Sequence, residues 1–202
     1  MSGQAELTPQ AELTPTRRAV LLGLALAPLA AAPPSRATAL IAVARRQVGV
    51  TLAYDPGYTS LSFPNGDVPR SRGVCTDVVV RAYRDAFGLD LQALVNADMR
   101  VGFAAYPRRW GLTRPDRSID HRRVPNLQVF LTRQHARLPL PADARGWQPG
   151  DIFTQTIDGR LPHIGIVSDR GPGWVIHNIG AGTKEEPMLY AHQLTGRYRW
   201  RV

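Results

Sequence analysis

Arg72-Gly73-Val74-Cys75-Thr76-Asp77-Val78-Val79-Val80-Arg81-Ala82-Tyr83-Arg84-Asp85-Ala86-Phe87-Gly88 is the stretch from which the fold is read. From Cys75 onward Val78, Val79, Ala82, Tyr83 and Ala86 recur at three- and four-residue spacings, while Asp77, Arg81, Arg84 and Asp85 take the other face, which predicts one amphipathic helix. Gly88 supplies a left-handed closing residue, and Asp77 with Arg81 makes an i,i+4 pair that adds a few tenths of a kcal/mol. Cys75, the only cysteine of the chain, falls in the first turn. There the unpaired backbone N–H groups and the positive end of the helix dipole favour a thiolate, so a lowered pKa and a nucleophilic sulfur are expected. Gly73 lets the backbone come close to a substrate. A lone cysteine is also a common small core residue, so the rest of the chain has to decide between the two readings.

Downstream the period changes. Trp147-Gln-Pro-Gly-Asp-Ile-Phe153 reads as a turn entering a strand, Pro162-His-Ile-Gly-Ile-Val-Ser168 as a second strand and Trp174-Val-Ile-His-Asn-Ile179 as a third, with Asp169–Gly173 as the hairpin loop between the last two. Tyr198–Val202 alternates and offers a further strand. Helical spacing over Leu40–Val48, Leu89–Met99 and from Pro125 to Arg137 completes the pattern. Helices first and strands afterwards predict an α+β domain, its N-terminal helices packed on a C-terminal antiparallel sheet. Pairing about Gly171 sets His163 opposite residues 177 to 179, where cross-strand partners share a face about 5 Å apart. His163 is therefore expected beside His177 or Asn178. A histidine whose second ring nitrogen is held by a polar neighbour is fixed in orientation and tautomer, as a general base for a thiol must be. Cys75, His163 and one of His177 and Asn178 make a nucleophile, base and orienter; the bland alternative is a pair of half-buried strand histidines.

The loop before the nucleophile helix, rich in turn-formers, delivers Tyr54, Asp55 and Tyr58 as a candidate substrate wall or as core cover. Residues 106–124 are dense in arginine, proline and aromatics, and Arg108, Arg122 or Arg123 could hold a carboxylate bidentately; a solvated basic face is the other reading. His121 follows Asp120 and is a weaker candidate for the same wall. No Cys-x-x-Cys or His-Glu-x-x-His spacing is present, so no metal and no cofactor is expected.

The chain of 202 residues carries a formal charge of +9, almost all of it arginine. Residues 4–15 repeat Gln-Ala-Glu-Leu-Thr-Pro in tandem, and Arg17-Arg18 precedes an uncharged apolar run from Ala19 to Ala32. This is the layout of a twin-arginine-like export signal, and the run is shorter than the ~20 residues of a membrane span. Small residues at 30–32 and 37–39 offer cleavage sites. The expectation is a leader over 1–39, one domain over 40–202, a periplasmic or secreted location, no membrane span after cleavage, and a monomer. A basic exported protein favours an anionic cell-wall polymer over nucleic acid, for which no motif is present. An unpaired thiol after export points to a reactive group or an intermolecular bridge.

Gly73-Val-Cys-Thr-Asp77 heading a helix, then Trp147–Ile152, Pro162–Val167 and Val175–Asn178, resembles the helix-then-sheet order of NlpC/P60-type papain-like cysteine peptidases. More closely, Tyr54-Asp-Pro56, Gly73–Val79, Asp120-His-Arg-Arg-Val-Pro-Asn126 and His177-Asn-Ile-Gly-Ala-Gly182 resemble the bacterial DUF1287 family over nearly the whole of residues 40–202. The resemblance implies a papain-like α+β fold, Cys75 as nucleophile, His163 as base, and His177 or Asn178 as third member. It implies cleavage of amide bonds in peptidoglycan stem peptides, by an amidase or endopeptidase. A thiol acyltransferase with the same residues and a non-catalytic wall-binding module are the alternatives. Val74 and Thr76 flank the cysteine where those peptidases carry Asp and Ser or Gly.

Overall fold

The computed structural model describes residues 34–202; the leader and export-signal expectations lie outside the described residues up to that point. Four helices, α1 (Arg36–Arg45), α2 (Cys75–Phe87), α3 (Leu91–Gly102) and α4 (Val124–Arg133), accompany eight strands. The strands are β1 (Ala53–Tyr54), β2 (Arg72–Gly73), β3 (Arg137–Leu138), β4 (Ile152–Ile157), β5 (Leu161–Val167), β6 (Val175–Asn178), β7 (Thr183–Glu186) and β8 (Gln193–Tyr198). The last six form one antiparallel sheet in the order β3-β8-β4-β5-β6-β7, and β1 and β2 make a separate two-residue parallel ladder. This is the expected α+β arrangement, with α2 packed on the sheet.

α2 forms as its spacing predicts and closes on Gly88 at φ 66°, a left-handed conformation that glycine adopts without a Cβ penalty. The first half of its polar face, however, does not look into solvent. Asp77 and Arg81 are as buried as Val78 and Val79, and they do not pair with each other. Arg81 reaches Asp67 through Nε and Nη2 at 2.9–3.2 Å and also donates to Thr51 and to the carbonyls of Val68 and Arg72. One buried guanidinium thus ties the loop 51–73 to the helix, since its donors must all be satisfied once water is excluded. α2 is the central element, with Tyr83 stacking on Trp200 and donating to its carbonyl at 2.8 Å.

The sheet alternates in and out with a period of two. Ile152, Ile164, Ile166 and Ile176 join the helices in the main core, while Phe153, Val167 and Val175 build a smaller cluster with Trp147 and Leu189 on the reverse face. Several boundaries differ from expectation, α4 ending at Arg133 rather than Arg137 among them. α1 starts at Arg36, so a cut after Ala39 would remove its first turn. The final strand is β8, ending at Tyr198, because Trp200 turns into the core against Tyr83 and Phe130. Strand β7 has no apolar run to announce it.

Candidate active site

Cys75 is the first residue of α2. The Asp77 carboxylate accepts from the Val74 N–H at 2.7 Å and satisfies a donor that the helix start leaves open. The same carboxylate receives Arg122 through Nε at 2.9 Å and Nη2 at 3.0 Å, a buried two-point pair. Arg122 also donates to the carbonyls of Asp55 and Gly57 at 3.3 Å, and Thr76 Oγ1 donates to the Arg122 carbonyl at 3.0 Å. Gly73 is required here by space: a Cβ would stand 2.9 Å from Asp77 Oδ2 and 3.1 Å from Arg81 Nη1. Asn178 Nδ2 donates to the Gly73 carbonyl at 3.0 Å. The turn that presents Cys75 is thus fixed by Asp77, Arg122 and Asn178 together.

Cys75 is 3 % exposed, and its sulfur faces the backbone N–H groups of Ile164 and Thr76 and the Tyr54 hydroxyl. Burial pushes the thiol up to about 11, the Asp77 charge adds to that, and the three donors only partly oppose it. The expected lowering therefore does not hold in the described state: desolvation outweighs the helix terminus. Tyr54 is raised too, by burial first and by its sulfur neighbour second.

His163 and His177 lie on the reverse face of the sheet, with His163 paired across to Gln155 and its ring 6.0 Å from Phe153. Asn178, one residue on from His177, faces the helices. The structure thus brings His177, and not Asn178, to His163: His163 Nε2 is 2.8 Å from His177 Nδ1, and His177 Nε2 is 3.0 Å from Glu186 Oε1. The protons on this chain follow from its end. A carboxylate only accepts, so Nε2 of His177 carries its hydrogen; Nδ1 of a neutral His177 then accepts, and Nε2 of His163 donates to it. What remains on His163 is an unprotonated Nδ1. Both rings are held neutral by burial, His163 down to about 3 and His177 lowered despite Glu186. Glu186 is the site residue that the sequence did not signal.

Cys75 opens into a cleft of about 450 Å³ and His163 into an adjoining one of about 400 Å³. Tyr54, Pro56 and Pro162 are walls of both. The sulfur rests on the Ile164 amide, so Cys75 and His163 sit on either side of one peptide unit of β5; no hydrogen bond joins them among the described residues.

The remaining sequence candidates divide. Tyr54 is in the site. Arg122 lines the Cys75 cleft, but Asp77 engages its guanidinium, so it anchors the helix rather than waiting for a ligand. Asp55 turns away to Arg72 at 3.0 Å and to the Gly57 N–H at 2.9 Å. His121 is buried in the short 3-10 turn Asp120–Arg122 that precedes α4, with burial pushing it down to about 4 and its Nδ1 without a partner among the described residues; it lines neither cleft. Arg109 and Arg123 line the Cys75 cleft around Trp110, the Arg123 guanidinium 4.1 Å and that of Arg109 5.5 Å from the ring centre. Arg123 is paired with Asp120 at 2.9 Å. Among the described residues no cluster of three or more His, Cys, Asp or Glu is arranged to hold a metal ion, and no helix is long and apolar enough to cross a membrane.

Residues 41–200 match the family described as a domain of unknown function, DUF1287. The uncharacterized protein YijF of Escherichia coli (strain K12) is 50% identical over 163 residues, covering 79% of each chain. Among solved structures, NlpC1 from Trichomonas vaginalis aligns over 81% of this chain and 43% of its own, less than half its length, at 17% identity and a TM-score of 0.42.

Proposed function

This chain belongs to the DUF1287 family, and from that premise and the geometry of the site we propose that it is a cysteine hydrolase of amide bonds, acting on the peptide stems of peptidoglycan after export. The observation that carries the reading is the chain His163–His177–Glu186, which leaves Nδ1 of His163 as a bare base beside the peptide unit on which the Cys75 sulfur rests.

At rest the pair is a neutral thiol and a neutral imidazole. No hydrogen bond joins Sγ to Nδ1 among the described residues, so the reaction requires the two to approach on substrate binding, directly or through one water. The S–H proton then passes to Nδ1 as sulfur bonds to the amide carbon and the carbonyl electrons move onto oxygen. Backbone N–H groups at the start of α2 stabilise that oxyanion, each such donor being worth ~3 kcal/mol. Collapse breaks the C–N bond, and the amine leaves with the proton from Nδ1. Water, deprotonated by the same nitrogen, resolves the thioester to an acid and free thiol. His177 and Glu186 hold the tautomer throughout, and Tyr54 forms the partition between the two clefts. The basic cleft rim suits a carboxylate-bearing stem.

The test is digestion of purified peptidoglycan by the isolated domain, with new amino groups and soluble fragments read by chromatography and mass spectrometry. Release that disappears in His163→Ala and persists with chelator supports the reading. Release of sugar fragments without new amino groups, or none from any peptidoglycan chemotype, overturns it.

A further inference from the structure

Beyond the Cys75 cleft lies a second one of about 720 Å³, and Tyr58 is a wall of both. It is lined by Arg100 from the last turn of α3 and by Arg114 and Arg117 from the following loop. Most arginines elsewhere that face a cleft or the core have a carboxylate: Arg81 has Asp67, Arg122 has Asp77, Arg123 has Asp120, Arg197 and Arg199 share Asp151. Arg100, Arg114 and Arg117 have none among the described residues, and neither has Arg109 on the Cys75 side of Tyr58. Among the described residues lining the second cleft the one acid is Asp116, which accepts from the Tyr58 hydroxyl at 3.2 Å and from the Ser118 N–H at 2.9 Å. Three guanidinium groups round one concavity against a single carboxylate leave it net positive, and an anionic ligand relieves their mutual repulsion. Their planar forks match carboxylates two bonds at a time.

We propose that the second cleft is a carboxylate-binding subsite, so that the substrate is an acidic peptide with one carboxylate near Arg109 beside Cys75 and another held by Arg100, Arg114 and Arg117 across Tyr58. The inference rests on the hydrolase reading for the direction of the peptide, but binding itself needs no catalysis. The three arginines are exposed, and beyond the Arg117 guanidinium 5.8 Å from the Phe63 ring centre they make no aromatic or ion-pair contact among the described residues, so changing them leaves the fold intact.

The experiment uses the Cys75→Ala chain and calorimetric titration with an N-acetylated, C-amidated tetrapeptide holding two glutamates, against the same peptide with glutamines. The expected result is at least ~10-fold tighter binding of the glutamate peptide at low salt, weakening as salt rises. Changing Arg100, Arg114 and Arg117 together to Gln removes that preference, while changing all three to Lys keeps part of it. Equal binding of the two peptides, or an unchanged preference in the triple Gln variant, overturns the proposal. Tighter binding of a single-stranded oligonucleotide than of the glutamate peptide, lost in the same variant, also overturns it, as the cleft would then serve a phosphate polymer. A wild-type chain that cleaves no amide leaves the titration to be read as it stands, so the two readings fail separately.

Discussion

His163 Nε2 stands 2.8 Å from His177 Nδ1, and this contact decides which ring nitrogen of His163 can act as a base. With Glu186 behind His177, the proton order is fixed from the carboxylate inward. Asn178, adjacent in sequence, is on the other face of the sheet and holds Gly73.

Glu186→Gln is accordingly expected to cost about 10- to 100-fold in amide hydrolysis, the usual effect of removing a group that orients a functional histidine. The glutamine amide can donate where the carboxylate accepted, reversing the proton order and blocking Nδ1. Thermal unfolding should change little, because Glu186 is partly exposed. A loss of activity matched by an equal loss of folded protein would contradict the assignment.

Asp77→Ala strands a buried guanidinium and frees the N-terminus of α2. Breaking one partner of such a pair typically costs ~3–5 kcal/mol. For a domain of this size that corresponds to a fall in Tm of roughly 6–20 °C, measurable by calorimetry. A shift within a degree or two would show that the Asp77–Arg122 pair does not anchor the turn.

Acid should destabilise the fold through its buried histidines. Below about pH 6.5 the unfolded chain binds a proton at each, whereas the folded chain refuses one at His121 until about 4 and at His163 until about 3. Both folded values are depressed, so this stability is present above 6.5 and is lost as pH falls through that window, with a slope near 1.4 kcal/mol per pH unit for each histidine. Urea unfolding of the wild type and His121→Gln at several pH values checks the sign; a slope unchanged in the variant would contradict it.

The thiol gives the opposite signature. Its folded value, about 11, is raised from an ordinary 9.0. Stability from the protonated thiol is present below 9 and is lost as pH rises from there towards 11. Alkylation of Cys75 by iodoacetamide should therefore be slow at neutral pH and climb through the same range. Fast alkylation at pH 6 to 7 would mean a resting thiolate and would contradict a neutral pair.

The parts of the fold written in local periodicity were legible. The apolar spacing of α2 with Gly88 behind it, and the apolar runs of β5 and β6, placed Cys75, His163 and His177 correctly in their elements. What the sequence hid depends on long-range burial. Asp77 and Arg81 look like solvent-facing helix charges until Arg122 and Asp67 fold over them. The thiol looks activated by its helix until the sheet removes water from it. Thr183-Lys-Glu-Glu186 has no strand composition, because an edge strand with one partner can be polar, and so Glu186 was invisible. The choice between His177 and Asn178 is one of face, which a one-residue change in register reverses.

The most direct test of the account is the rate of amino-group release from peptidoglycan stem peptides by the wild type, Cys75→Ser, His177→Ala and Asn178→Ala. The account predicts background rates for Cys75→Ser, a loss of about 10-fold or more for His177→Ala, and retained turnover in whatever fraction of Asn178→Ala stays folded. Turnover by Cys75→Ser at the wild-type rate, or a folded Asn178→Ala that is dead while His177→Ala is active, would contradict it.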